Sequence, residues 1–185
     1  MKPWQRIALL CCTVPAVALA QDKVNQHASI LQDFRAHVAE YVKLHNNIRS
    51  EIHGLKPTKS AEAIEQYQQR FAQRLREARA DAAEGDIFTS ETAAEFRRLI
   101  RIAMRGPDAA RIRASLESAS PVELKDIRVN HQYPPGLPLE STPPSLLLNL
   151  PDLTPEVEYR VVGHALILRD IDANLIVDFI PDAIP

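Results

Sequence analysis

Apolar residues recur at steps of three and four from Val24 onward, which is the spacing of one face of an amphipathic helix. The stripe predicts a long first helix that ends near Gly54, because Pro57 just beyond it cannot continue a helix. Ile30 and Leu44 widen the stripe, so we expect packing in a bundle rather than along a narrow coiled-coil seam. The stripe consists of Val24, Leu31, Phe34, Val38, Tyr41, Ile48, Ile52 and Leu55, with His27 and His45 in two of its slots.

A second helix is predicted from about Ser60 to Ala83, with Gly85 placed to end it in a left-handed cap. The residues expected on its buried face are Ile64, Tyr67, Phe71, Leu75 and Ala78. Two neighbouring hydroxyl residues, Thr89 and Ser90, are alternative N-caps for a third helix that stops at Gly106. The residues expected inside this third helix are Phe96, Leu99, Ile100 and Ala103.

Pro107 suits the first turn of a shorter fourth helix through Ile112 and Leu116. Residues 21–119 are therefore predicted to form an antiparallel bundle of four helices. The composition changes after this point, because seven of the fourteen prolines lie between Pro134 and Pro155. Proline at this density disfavours helix and central strand, so residues 120–156 are predicted to form an extended belt. We expect the belt to bury its leucines on the helices, namely Leu146, Leu147, Leu148 and Leu150.

Three β-rich segments follow the belt, at 158–162, 165–169 and 175–180. Gly163 and His164 between the first two suit a two-residue hairpin turn. Residues 157–185 are therefore predicted to form a three-stranded antiparallel meander packed on the helices, which makes the fold class α+β. Asp170, Asp172 and Asn174 alternate as in a calcium loop, but the glycine and the final carboxylate of such a loop are missing. We interpret these three residues as a hairpin turn, and no metal site is expected.

The first twenty residues have the pattern of a cleavable secretory signal peptide. Lys2 and Arg6 form its basic region, a mostly apolar run follows, and an A-x-A pattern precedes Gln21. Both cysteines, Cys11 and Cys12, lie inside this leader, so the mature chain would have no thiol for catalysis or metal binding. The protein is therefore expected to be periplasmic or secreted, with no transmembrane segment after cleavage.

Charge is distributed unevenly between the two parts of the predicted mature chain. Residues 21–119 carry 16 Lys and Arg against 14 Asp and Glu, a net charge of +2, whereas residues 120–185 carry 4 against 10, a net charge of −6. Neither part is basic enough to indicate a nucleic-acid partner. No phosphate loop, dinucleotide fingerprint or hydrolase nucleophile motif is present, so no cofactor is expected and an enzymatic function is not favoured.

Two groups of residues nevertheless remain candidates for function. His131, His164 and Glu158 would supply acid–base groups near the junction of belt and sheet, as a hydrolase requires. Arg98, Arg101 and Arg105 form a basic stripe on the third helix that would bind an anion or a lipid head group, although such a stripe is more commonly a solvated face paired with glutamates. The wide apolar stripe of the first helix would also serve a homodimer.

Several segments resemble a family of exported bacterial proteins of unknown function. They are G-D-I-F-T (85–89), F-R-R-L-I (96–100), V-N-H-Q-Y-P (129–134), P-P-S-L-L-L-N-L-P (143–151) and the stretch 158–181 that ends in A-N-L-I-V-D-F-I-P. The resemblance implies a Gram-negative envelope setting and assigns no catalytic residue. We therefore expect a non-enzymatic envelope binding or scaffolding module, which would present helix faces or a sheet edge to a protein partner or ligand.

Overall fold

The computed structural model describes residues 16–52, 59–117, 127–133 and 142–185. The fold class is α+β, as the sequence predicted. Its elements are α1 (Ala16–Glu51), α2 (Ala61–Ala78), α3 (Ser90–Ala103), α4 (Ala109–Glu117), α5 (Pro144–Leu147), β1 (Val157–Val162), β2 (Ala165–Asp170) and β3 (Leu175–Ile180). In the described part of the chain, no helix combines the length and the apolar character that a membrane crossing needs.

Helix α1 is the longest element and contacts both α2 and α3. Its predicted stripe is buried at Phe34, Val38, Tyr41 and Ile48, and His45 is fully enclosed among them. The ring of Phe34 packs edge to face on Phe96 of α3, with 4.9 Å between ring centroids. The middle of the α1 stripe, from Phe34 to Ile48, is therefore covered within its own chain. The contacts of α1 with α2 and α3 are observed, and the antiparallel bundle of four helices remains a prediction.

Helix α2 is shorter than the sequence predicted. It ends at Ala78 rather than Ala83, and Ser60 caps its start by accepting a hydrogen bond from the Ala63 N–H. The expected buried residues Ile64 and Ala78 are exposed, whereas Ala72 is buried. The buried face of α2 therefore differs from the predicted one at these three positions. Gly85 has a positive φ of 92°, but it lies in the following loop and is not the cap of α2.

The loop after α2 is held by a buried carboxylate on the distant strand β3. Asp178 accepts hydrogen bonds from the backbone N–H groups of Gly85 (3.1 Å), Ile87 (2.9 Å) and Phe88 (2.8 Å). Its partners are backbone groups that would otherwise lack acceptors in the interior. This contact fixes the conformation of the loop that joins α2 to α3. The loop ends at Thr89, which caps α3 and is one of the two N-caps that the sequence predicted as alternatives.

Two helix boundaries in the next stretch differ from the prediction. Helix α3 ends at Ala103 rather than at Gly106, and Pro107 lies two residues before α4 rather than in its first turn. The buried residues of α3 include Phe96, Ile100 and Ala103 as expected. These differences are typical of helix ends, where a last turn and a cap are difficult to separate from the sequence.

The described part of the proline-rich region contains a single helical turn, α5, which the extended-belt prediction did not include. Pro144 opens it, because the first position of a helix does not need an N–H donor. One turn buries only one side, so Leu146 and Leu150 are buried while Leu147 is 38% and Leu148 is 86% exposed. The prediction that all four leucines are buried is therefore wrong for two of them. The belt residues 120–126 and 134–141 lie outside the described residues.

The three strands form an antiparallel meander in the order β1-β2-β3. Val162 pairs with Ala165 across the predicted two-residue turn, in which Gly163 has a φ of 56°. The register between β2 and β3 shifts after Leu168, which leaves Val177 as an extra residue. One face of the sheet packs on the helices through Leu166, Leu168 and Val177.

The other face of the sheet is covered by the segment 127–133. Ile167 and Ile176 on this face are fully buried and pack with Tyr133. The same segment pairs with the outer edge of β3. Hydrogen bonds run from the Asn130 N–H to the Ile176 carbonyl, from the Ile176 N–H to the His131 carbonyl, and from the Tyr133 N–H to the Asn174 carbonyl, each 2.9 Å long. The edge of β3 is thus occupied by the chain itself.

Candidate functional site

The outer edge of β1 differs from that of β3, and strand geometry shows which of its backbone groups face outward. Hydrogen-bonded and non-bonded pairs alternate in an antiparallel ladder, and the pair that closes a two-residue hairpin is bonded. Val162 belongs to that closing pair, so Arg160 and Glu158 also bond to β2. Tyr159 and Val161 therefore direct their N–H and C=O groups away from the sheet.

Two hydrogen bonds from described residues confirm this geometry. The Thr142 hydroxyl donates to the Tyr159 carbonyl at 3.0 Å, and the Val157 N–H donates to the Thr154 carbonyl at 3.3 Å. Among the residues that the structure describes, none bonds to the outward N–H or C=O of Val161. The described residues thus leave one end of the β1 edge without a main-chain partner.

A half-open cleft of about 420 Å³ lies along this edge. Its walls combine apolar side chains with a few polar ones, which is the usual composition of a ligand site, and its volume falls in the range of such sites. The exposed Leu147 contributes to one wall, and the more exposed Leu148 follows it directly after the end of α5. The lining residues are Thr142, Leu147, Pro151, Asp152, Leu153, Val157, Glu158, Tyr159 and Arg160.

The base of the cleft is rigid because Tyr159 is fixed at both ends. Its hydroxyl donates to the Pro151 carbonyl at 3.0 Å, and its ring packs against Phe96 with 5.9 Å between centroids. Burial raises the pKa of Tyr159 far above its usual value, so this hydroxyl stays protonated and acts as a donor. The residue positions β1 against the helices and is not available as an acid or base near neutral pH.

Glu158, one of the predicted acid–base residues, is held between two arginines. Its carboxylate accepts two hydrogen bonds from Arg160, at 2.7 and 2.6 Å, and a further one from Arg169. Arg169 also donates to Asn174 at 2.8 Å and lies over the ring of Tyr133. These three charge-assisted hydrogen bonds hold the carboxylate in place, so it orients the two guanidinium groups.

The structure does not bring the two candidate histidines together. His164 lies in the turn between β1 and β2, where its Nδ1 is 2.9 Å from the Ile184 carbonyl. His131 lies beside Ile176, which pairs with Arg169 near the opposite end of β2. Six residues of strand, about 17 Å, separate these two ends. One catalytic site that contains His131 and His164 is therefore not formed.

The predicted arginine stripe has a different environment at each position. Arg98 makes two hydrogen bonds, of 2.8 and 2.5 Å, to Glu95, which is buried. Burial alone would raise the pKa of Glu95, but hydrogen bonds and charge from Arg98, and then the charge of His27, lower it overall. Arg101 donates to the carbonyl of Arg97 at 3.2 Å, and Arg105 is exposed. Arg98 is thus committed to a partner on its own helix.

A buried polar cluster at the turn between β2 and β3 was not predicted. As expected, Asp170 bonds the backbone of its own turn, where the Ala173 N–H donates to Oδ1 at 2.7 Å, and Asn174 has a φ of 52°. The other carboxylate oxygen accepts a hydrogen bond of 2.6 Å from the Tyr41 hydroxyl and lies 2.6 Å from Nδ1 of His45. Both partners belong to α1, so this cluster joins the longest helix to the sheet.

Comparisons of the chain with protein-family models, with curated proteins and with solved structures find no match. Within the described residues, no group of three or more His, Cys, Asp or Glu side chains is arranged to hold a metal ion. The functional argument therefore depends on the geometry of the cleft and of the buried cluster.

Proposed function

We propose that this chain is a non-enzymatic binding module of the bacterial envelope that holds an extended peptide segment of a partner protein along β1. The outward N–H and C=O of Val161 carry this proposal, since no described residue bonds to them. Unpaired main-chain groups on an edge strand are a template for strand addition. The envelope location follows from the leader pattern of the first twenty residues.

The side walls of the cleft indicate what kind of peptide would bind. Strand addition supplies affinity through main-chain hydrogen bonds, and pockets beside the edge select alternate side chains. Leu147 and Leu153 offer an apolar surface on one side of the cleft, and Asp152 adds a negative charge at its rim. We therefore expect a peptide with an aliphatic or aromatic side chain that points toward α5, and without an acidic residue near Asp152.

The homodimer through the α1 stripe remains a prediction, and its described residues Phe34, Val38, Tyr41 and Ile48 do not favour it, because the chain itself buries them. No contact among the described residues favours the hydrolase alternative. Anion or lipid binding would depend mainly on Arg101 and Arg105, since Arg98 is paired with Glu95.

The test begins with a phage-displayed peptide library selected on the purified full chain. Each selected peptide is then synthesised, and its dissociation constant is measured with the wild-type chain, with Val161→Pro and with Val161→Ala. Proline removes the outward N–H but not the hydrogen bonds to β2, whereas alanine shortens the side chain and keeps the N–H.

We expect Val161→Pro to weaken binding about tenfold or more, which corresponds to about 1.4 kcal/mol for one lost main-chain hydrogen bond. Val161→Ala is expected to bind within about threefold of wild type, since its main chain is unchanged. Peptides that bind Val161→Pro as well as they bind wild type would rule out strand addition. Failure to select any peptide would count against the function itself.

A further inference from the structure

His45 is a fully buried ring whose two nitrogens have different environments. On the Nδ1 side, Asp170 accepts hydrogen bonds at both oxygens from the Tyr41 hydroxyl and the Ala173 N–H. Burial, and then the charge of Asp170, raise the pKa of Tyr41 well above its usual value, so Tyr41 keeps its proton and donates. Both carboxylate oxygens of Asp170 therefore act as hydrogen-bond acceptors. Nδ1 of His45, 2.6 Å away, must carry the hydrogen of that contact.

The second nitrogen, Nε2, has no hydrogen-bond partner among the described residues although it is buried. With Nδ1 protonated, the neutral imidazole presents a lone pair at Nε2. This nitrogen lies 3.6 Å from Oδ2 of Asp172, whose side chain is 34% exposed. That separation is too long for a hydrogen bond. It is close to the spacing of two ligands of one metal ion, because nitrogen and oxygen atoms that are each about 2.0–2.1 Å from a tetrahedral ion are about 3.3–3.4 Å apart. The partly exposed Asp172 side chain would move by a few tenths of an ångström to reach that spacing.

The carboxylate behind the ring is a second, independent feature of such a site. Metal-binding histidines usually donate their other ring N–H to a carboxylate, which fixes the tautomer and the ring orientation. Asp170 does this for His45, and the ring of Phe71, 4.8 Å away edge to face, restricts the imidazole further. The ring is therefore preorganised, with Nε2 held 3.6 Å from the Asp172 carboxylate.

We propose that His45 Nε2 and the Asp172 carboxylate bind one first-row divalent cation such as Zn²⁺, with water completing the coordination. An imidazole ligand suits zinc, copper or nickel rather than calcium or magnesium. The site differs from the calcium loop excluded for Asp170, Asp172 and Asn174, because only Asp172 of that turn is a ligand and the second ligand comes from α1.

One cation already competes for this carboxylate. Nη1 of Arg49 lies 3.3 Å from the same Asp172 oxygen, and its side chain is half exposed. Asp170, Asp172 and Arg49 together carry a net charge of −1 when His45 is neutral, which favours the binding of a cation. Because Arg49 is free to turn into solvent, its removal should strengthen the metal site.

The experiment uses the full chain, without an affinity tag and after treatment with a chelator. Zn²⁺ binding is measured by isothermal titration for wild type, Asp172→Asn, Arg49→Gln and the control Asp81→Asn, which changes an exposed loop aspartate. Mg²⁺ serves as the cation control. The ring nitrogens of His45 are followed by NMR in the wild-type chain, so no substitution of a buried residue is needed.

We expect wild type to bind Zn²⁺ with a micromolar dissociation constant and to show little response to Mg²⁺. Asp172→Asn should weaken Zn²⁺ binding at least tenfold, Arg49→Gln should tighten it, and Asp81→Asn should leave it unchanged. The Nε2 resonance of His45 should shift on Zn²⁺ addition.

Three results would overturn the site. The first is no Zn²⁺ binding at millimolar concentration. The second is equal binding by wild type and Asp172→Asn, as surface histidines would give. The third is an NMR spectrum that shows a proton on Nε2 of His45 and no change when Zn²⁺ is added.

Discussion

The outer edges of β1 and β3 differ in how far the described chain covers them, although both strands belong to one meander of three six-residue strands. The outer edge of β3 is occupied by segment 127–133 through a row of main-chain hydrogen bonds, and Asp178 ties the strand to the loop before α3. The outer edge of β1 meets a threonine hydroxyl and a single carbonyl from the described residues, beside a cleft of about 420 Å³.

We interpret the covered edge of β3 as the one that stabilises the fold, and the edge of β1 as the one that binds a partner. An exposed edge strand invites association with other chains, and proteins usually cover both edges. Here the chain covers only one of them with its own described backbone. If the comparison is right, substitutions at the β3 side lower the free energy of unfolding, whereas substitutions at β1 change binding and leave stability almost intact.

The largest effect is expected for Asp178→Ala. This change removes a buried carboxylate and leaves the N–H groups of Gly85, Ile87 and Phe88 without an acceptor. Since each unsatisfied buried group costs about 1–3 kcal/mol, we expect a loss of at least about 3 kcal/mol in chemical denaturation. The exposed Asp81→Ala serves as control and should stay close to wild type. A loss below about 1 kcal/mol for Asp178→Ala would mean that the β3 side is not the stabilising one.

An intermediate effect is expected for Asn130→Ala in the segment that covers β3. Asn130 has a left-handed φ of 64°, its side chain donates to the Arg79 carbonyl at 2.6 Å, and its amide oxygen accepts from Arg79 at 3.1 Å. Loss of these bonds together with a strained alanine should lower stability by about 2 kcal/mol. Asn130→Gly removes the bonds without the strain, so it should lie between wild type and alanine. Equal stability of all three proteins would show that segment 127–133 contributes little.

The smallest effect on stability is expected for Val161→Pro. Val161 already sends its N–H outward, and an edge strand tolerates proline at such a position. We expect a loss below about 1 kcal/mol, measured by the same denaturation. A loss as large as that of Asp178→Ala would show that the β1 edge is paired in the folded chain, and the distinction between the two edges would disappear.

The features predicted from sequence are those encoded by neighbouring residues. The three strands and the turn at Gly163 follow from runs of β-branched and aliphatic residues and from one residue with left-handed preference, and the strand bounds differ by at most one residue from the prediction. The Thr89 cap and the turn at Asp170 to Asn174 depend on side chains that bond their own backbone. Local signals of this kind are independent of the rest of the fold.

The buried polar groups could not be predicted in the same way. Asp170 and His45 are 125 positions apart, and Asp178 and Phe88 are 90 apart. Neither aspartate differs in local sequence from an ordinary turn or edge residue, so nothing marks it as buried. The exposure of Leu148 is a similar case, because three consecutive leucines do not show which side a single helical turn will bury. The residues that line the cleft likewise come from separate elements, which only the tertiary fold brings together.

Amide hydrogen exchange of the full chain, resolved by NMR, tests the difference between the two edges most directly. The Ile176 N–H donates to the His131 carbonyl at 2.9 Å, so it should be strongly protected in the free protein. The Val161 N–H should exchange rapidly in the free protein and slow down when a selected peptide binds. Protection of Val161 equal to that of Ile176 in the free protein would contradict the account, because the β1 edge would then have no place for a partner strand.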